Sequence, residues 1–141
     1  MSYRQHYAVL FDRLEDEFGR LEPETITGII GFSAGGPVSM CKLTQAALFV
    51  TCELSMYDEQ KPSSDGIRFE LFSKDDLNEK QAQTILTALG AFSMDAQLGN
   101  NHTVDVSVAE ASVDVIKLEL YSTSEIDSHR YGLYRVRPHR P

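Results

Sequence analysis

The residues with the sharpest chemical pattern are Gly31-Phe32-Ser33-Ala34-Gly35-Gly36, preceded by an apolar run over residues 26–30. Gly-x-Ser-x-Gly is the form of a nucleophile elbow, in which small flanking residues let a strained strand-to-helix turn expose a serine. Asp75 or Asp76 and then His129 follow in the chain order that such a triad takes. Taken at face value, Ser33 with Asp76 (or Asp75) and His129 makes a small serine hydrolase. The neighbouring sequence argues the other way. An elbow needs a parallel sheet around it and an oxyanion hole partly built by an earlier strand-loop segment, yet only one helix and one strand are expected before Ser33. VSMCKLT runs at once into the strand-like LFVTCELS, which leaves little room for the crossover helix. Asp75 and Asp76 directly precede a helix start, where the helix dipole favours acids. The plainer reading makes Ser33 to Pro37 a flexible hairpin loop.

The other candidate groups carry less. No Gly-Lys-Ser/Thr ending follows the glycines, so they make no phosphate loop, and Lys42 stands well beyond them. His6, His102, His129 and His139 fall on unrelated elements. Pairs such as His102 with Asp105, or His129 with Asp127, lack the further ligands that a metal needs. No metal and no cofactor is expected. The acidic groups Glu15-Asp16-Glu17 and Asp75-Asp76-Glu79 read as solvated faces or, alternatively, as a recognition surface for a basic protein partner, where charge raises on-rate and selectivity.

These groups sit on a chain of 141 residues, 42% hydrophobic and 24% charged, with 13 Lys+Arg against 21 Asp+Glu and a net charge of −8. That length suits a single domain with one core. The acidic balance disfavours nucleic acid, whose nonspecific binding depends on Lys and Arg neutralising phosphates. It disfavours anionic membranes likewise. The charge is uneven: residues 130–141 hold Arg130, Arg135, Arg137 and Arg140 with no acid, whereas the rest holds 9 basic and 21 acidic side chains and so carries −12. This basic C-terminal tail either pairs with the acidic body or is disordered. The absence of a long apolar run and of a basic-then-apolar leader points to the cytosol. Cys41 and Cys52 fit reduced thiols packed as small apolar groups, with a disulfide as the lesser alternative.

Hydrophobic spacing supplies the scaffold. Tyr3, Tyr7, Leu10, Phe11, Leu14, Phe18 and Leu21 recur at steps of three and four, predicting an amphipathic helix that ends at Gly19 and Pro23. Four strand-like segments follow: ITGIIGF, VSMCKLT, ALFVTCELS and GIRFELFS, the last two divided by the loop DEQKPSSDG. Ala82, Ile85, Leu86, Leu89 and Phe92 then predict a second helix over 78–92, with Asn78 and Gln81 placed as a capping box. Strand-like TVDVSVA, VDVIKLELYS and YGLYRV complete the chain. The expected fold is α+β, a mainly antiparallel sheet of six or seven strands with two helices packed on one side.

Over roughly residues 10–108 a succession of short motifs runs Phe18-Gly19, Gly35-Gly36-Pro37-Val38, Val50-Thr51 through Leu54-Ser55-Met56-Tyr57, and Arg68-Phe69-Glu70-Leu71. It continues with Ile85-Leu86-Thr87-Ala88-Leu89, Phe92 and Gly99-Asn100-Asn101-His102. In the order and spacing of these motifs the chain resembles the suppressor-of-fused-like domain family. The resemblance implies a mixed α+β domain that binds proteins and has no catalytic residues. Eukaryotic relatives restrain a transcription factor, and bacterial ones look like immunity proteins that neutralise toxins. Relative to that pattern the sequence is shortened at its C-terminus. The expected activity is therefore non-enzymatic protein binding, of immunity or regulatory type. An acidic secretion chaperone, with its initial helix followed by strands, is a further alternative.

Overall fold

The computed structural model describes residues 3–26, 32–43, 46–126 and 129–139. The first helix, α1 (Tyr3–Phe18), ends at the Gly19 signal and leaves Leu21, the last residue of the predicted stripe, outside it. Gly19 takes a left-handed φ of 87°, and its amide donates to the Glu15 carbonyl at 2.8 Å, closing the last turn. The next strands are β1 (Glu22–Ile26), β2 (Met40–Leu43), β3 (Leu48–Thr51) and β4 (Arg68–Lys74), followed by helix α2 (Glu79–Asp95). Strands β5 (Thr103–Asp105), β6 (Val115–Ile126) and β7 (His129–Pro138) complete the fold. The capping box at α2 is formed: Asn78 accepts from the Gln81 amide at 2.8 Å, and the Gln81 side chain accepts from the Asn78 amide at 3.1 Å.

Among the described residues the strands form one seven-stranded sheet in the order β1-β2-β3-β4-β7-β6-β5. Every neighbouring pair is antiparallel except the central one, β4 with β7, which is parallel. The α+β class and the predominance of antiparallel pairing thus stand. The helices, however, pack on opposite faces, not on one. Leu10 and Leu14 of α1 join Cys41, Val50, Cys52, Phe72 and Leu133, whereas Ile85, Leu86 and Leu89 of α2 join Met40, Phe69, Leu71, Leu118 and Val136. Successive strand residues therefore enter different cores, as the period of two requires. In β4 both faces are buried, Phe69 and Leu71 toward α2 and Phe72 toward α1. Both cysteines are buried in the α1 core.

Several segments depart from their expected form. Pro23 does not merely stop the first helix but lies inside β1, which is tolerated because β1 is an edge strand. The strand expected over 26–32 has only its first residue in β1; residues 27–31 lie outside the described residues, and a 3-10 turn follows at Phe32–Ala34. After Thr51 the chain leaves the sheet for a 3-10 turn at Leu54–Met56 instead of continuing to Ser55 as a strand. TVDVSVA is strand only to Asp105, whose carboxylate accepts from the Ser107 amide at 2.8 Å and hydroxyl at 2.6 Å and turns the backbone into another 3-10 turn.

The basic tail is not disordered over residues 129–138. It is β7, inserted between β4 and β6. Tyr131, Leu133, Tyr134 and Val136 are buried, so this strand is fixed by apolar burial on both faces. Its cations meet acids of the body: Arg135 lies 3.4 Å from Asp76, and Arg137 lies 3.3 Å from Glu119. Arg140 lies outside the described residues.

Candidate binding groove

The parallel register of β4 and β7 decides the hydrolase constellation. Phe72 is opposite Arg135, and Arg135 reaches Asp76 just beyond the end of β4. His129 stands six residues earlier on the same strand, about 20 Å away at roughly 3.3 Å per residue. Asp76 and His129 are thus at opposite ends of the sheet and do not converge. Asp75 belongs to the Asp76 end, its amide donating to the Ala47 carbonyl at 2.9 Å. Ser33 lies in the Phe32–Ala34 turn, which leads toward β2 and not into the helix that an elbow requires. Its side chain lies outside the described residues.

The acidic groups have been put to structural use. Glu79 pairs with Lys42 at 3.1 Å, and Asp76 pairs with Arg135. Glu15 accepts from the Leu21 amide at 3.0 Å, holding the chain as it leaves α1. Asp16 and Glu17 flank a cleft of about 270 Å³ between α1 and β6–β7, shared with Arg13, Ser122, Thr123 and Ser124. The Arg13 guanidinium donates there to the Glu125 carbonyl at 3.4 Å. The acidic runs therefore do not form one uninterrupted anionic face.

A more open and more apolar feature lies on the other side. A groove of about 530 Å³ runs between the Phe32–Gly36 segment and the outer side of α2. Thr87, Ala91 and Met94 form one wall, Phe32 with Gly35 and Gly36 the other, and Tyr57 and Glu59 close an end. The walls are held from behind. The Val38 amide donates to the Thr87 hydroxyl at 3.0 Å, tying the segment after Pro37 to α2. The Tyr57 hydroxyl donates to the Glu53 carboxylate, which also accepts from the Ser39 amide at 2.6 Å. The Tyr57 carbonyl accepts from Arg68 at 2.5 Å, and its ring lies against Phe32 with centroids 5.8 Å apart. Gly90 lets α2 approach this corner closely, since a Cβ there would come within 2.8 Å of Leu54 and 3.2 Å of Phe32.

Beneath the corner is a buried polar network that replaces missing sheet contacts. Where β3 ends, the Thr51 hydroxyl accepts from the Leu71 amide at 2.9 Å, and the Gln60 side chain pairs with both backbone groups of Phe69. These bonds serve backbone groups that burial would otherwise leave without partners. Glu70 accepts from Thr51 at 2.7 Å, from the Leu54 and Ser55 amides at 3.1 and 2.7 Å, and from the Ser55 hydroxyl. Burial pushes its carboxyl up to about 7 against the opposing effect of these four donors. Tyr134 is likewise buried against Ser63, at 2.8 Å, and Asp65, at 2.5 Å, and burial and the neighbouring carboxylate raise its phenol. This network organises the turn that carries Tyr57 and Glu59.

No family model, curated protein or solved structure matches the chain. No helix among the described residues is long and apolar enough to cross a membrane, and no group of three or more His, Cys, Asp or Glu among them could hold a metal ion.

The groove residues Tyr57, Glu59, Thr87, Ala91 and Met94 were not apparent as a site from local pattern, because they come from segments far apart in sequence. One signal was present. From Gln81 to Met94 the chain carries no charged side chain, although only one side of an amphipathic helix needs to be apolar. The residues off the buried stripe, Thr87 and Ala91 among them, are small instead of charged.

Proposed function

We propose that the chain is a non-enzymatic protein-binding module of the cytoplasm, acting as an immunity-type or regulatory inhibitor of a basic protein partner. The observation that carries this reading is the pre-shaped apolar groove with the Glu59 carboxylate in its lining, on a domain of net charge −8. Aromatic and Met side chains around a small apolar depression are common at the centre of protein interfaces. The succession of motifs resembling suppressor-of-fused-like domains points the same way, and membership of that family is part of the proposal. The separation of Asp76 from His129 disfavours the serine hydrolase alternative.

The test is the salt dependence of association with a protein recovered from the native host on the immobilised chain. The association rate constant is expected to fall by about tenfold or more as ionic strength rises, since steering between opposite charges is screened. A salt-indifferent rate would remove the electrostatic part of the reading. Fluorophosphonate labelling that disappears in Ser33→Ala would overturn the non-enzymatic part.

A further inference from the structure

Resting on that protein-binding reading, we infer that the groove seats the apolar face of an amphipathic helix from the partner, flanked by a lysine or arginine directed at Glu59. The α2 wall consists of Thr87, Ala91 and Met94, spaced by four and three residues and therefore aligned along one side of the helix. It runs straight for about 10 Å at roughly 1.5 Å per residue. Small residues at 87 and 91 let a second helix come close, and Met94, Phe32 and Tyr57 supply adaptable and aromatic contact at its sides. The size of the groove lies within the range of about 300–1,000 Å³ that bound apolar groups commonly occupy.

Charge selects the polarity of the occupant. Glu59 lines the groove, exposed Asp58 precedes it, and exposed Asp95 follows Met94 at the end of α2. That helix end has no basic residue in its last turn, so the negative end of its dipole adds to the carboxylates. Two cations oppose these three acids: Lys61, whose amide donates to the Ser93 carbonyl at 2.9 Å, and Arg68, whose guanidinium donates to the Tyr57 and Asp58 carbonyls at 2.5 and 3.4 Å. The balance remains negative, which favours a cationic flank over an anionic one. The uncharged run from Gln81 to Met94 keeps the wall beside it apolar.

The experiment uses two fluorescent synthetic helices with the same leucine face, one flanked by lysines and the other by glutamates, titrated by anisotropy against the full chain. The lysine peptide is expected to bind saturably and at least about tenfold more tightly than the glutamate peptide, the size of effect that a close charge pair produces at an interface. Ala91→Arg, which fills the groove from an exposed position, is expected to abolish binding of the lysine peptide. Glu59→Lys is expected to reverse the preference between the two peptides, an outcome that general loss of structure cannot produce. It carries the test alone if circular dichroism shows that Ala91→Arg is unfolded. Glu17→Lys, on the opposite face, is expected to leave the lysine peptide's affinity within about twofold. Unsaturable binding of both peptides, indifference to Glu59→Lys, or self-association abolished by Ala91→Arg would each overturn the inference, the last by making a second copy the occupant. A host protein captured equally by the wild type and Ala91→Arg would overturn the groove assignment while leaving the protein-binding reading intact. Failure of the wild type to capture any host protein would count against that reading itself.

Discussion

The two faces of the sheet are covered by helices of similar length but opposite character. On one face α2 covers Met40, Phe69, Leu71, Leu118 and Val136, and the helix is uncharged from Gln81 to Met94 even beyond its buried stripe. On the other, α1 covers Val50, Phe72 and Leu133 while presenting Asp12, Arg13, Asp16 and Glu17 to solvent. The charged helix has the usual finish of a surface element. The uncharged one leaves an apolar groove open. The contrast teaches that the acidic surplus and the apolar opening belong to different parts of the molecule, and among the described residues Glu59 joins them in the lining of the groove.

The largest effect that would sharpen this comparison is the loss of a buried leucine from each helix. Leu86→Ala is expected to cost about 3–5 kcal/mol and Leu14→Ala about 2–3 kcal/mol, because hydrogen bonds from Val38 to Thr87 and from Gln81 to Ala111 tie α2 in place and leave it less able than α1 to settle into the space left behind. Denaturant midpoints measure both; equal losses would show that the faces are equally constrained.

Next is the pH dependence set by Glu70. Its folded pKa, about 7, lies above the ordinary value of 4.5, so between those values the unfolded chain gives up a proton that the folded chain keeps. Its contribution to stability is therefore greatest below 4.5, declines as pH rises to about 7, and is constant above, a change of about 3 kcal/mol. Glu70→Gln should remove this component from the pH profile of the denaturant midpoint. Persistence of the same slope in the variant would assign it to other groups.

Smaller effects probe the corner and the rim. Gly90→Val is expected to cost about 1–3 kcal/mol, since even a Cβ meets Leu54 and Phe32, and the loss should appear together with weaker binding at the groove. The smallest expected change is at the ion pairs. Lys42→Met and Arg137→Met should each alter stability by less than about 1 kcal/mol, and the difference from wild type should shrink in high salt. A larger loss at Arg137 would mean that the solvent-exposed edge of the α1 face depends on charge more than on packing.

Much of the fold was legible because the signals were local. The stripe from Tyr7 to Phe18 and the stripe from Ala82 to Leu89 mark the helices, and Gly19 and Asn78 mark an end and a start. Strand endings were less legible. Thr51, Gln60 and Glu70 take over backbone contacts from a strand that stops early, and no period in the sequence announces that substitution. The candidate site was the least legible. Its walls come from the segment around Gly35, the turn at Tyr57 and the outer side of α2, and only the lack of charge along α2 hinted at it.

By itself the sequence determined the number of helices, most strand positions, the acidic surplus and the α+β class, because each depends on residue type and on spacing within one segment. Tertiary structure alone decided that β7 lies parallel to β4 at the centre, that the helices take opposite faces, and that Asp76 and His129 stand far apart. A strand's apolar alternation specifies what it buries but not which strand lies beside it. That choice belongs to the packing of both cores at once, and the same choice created the groove.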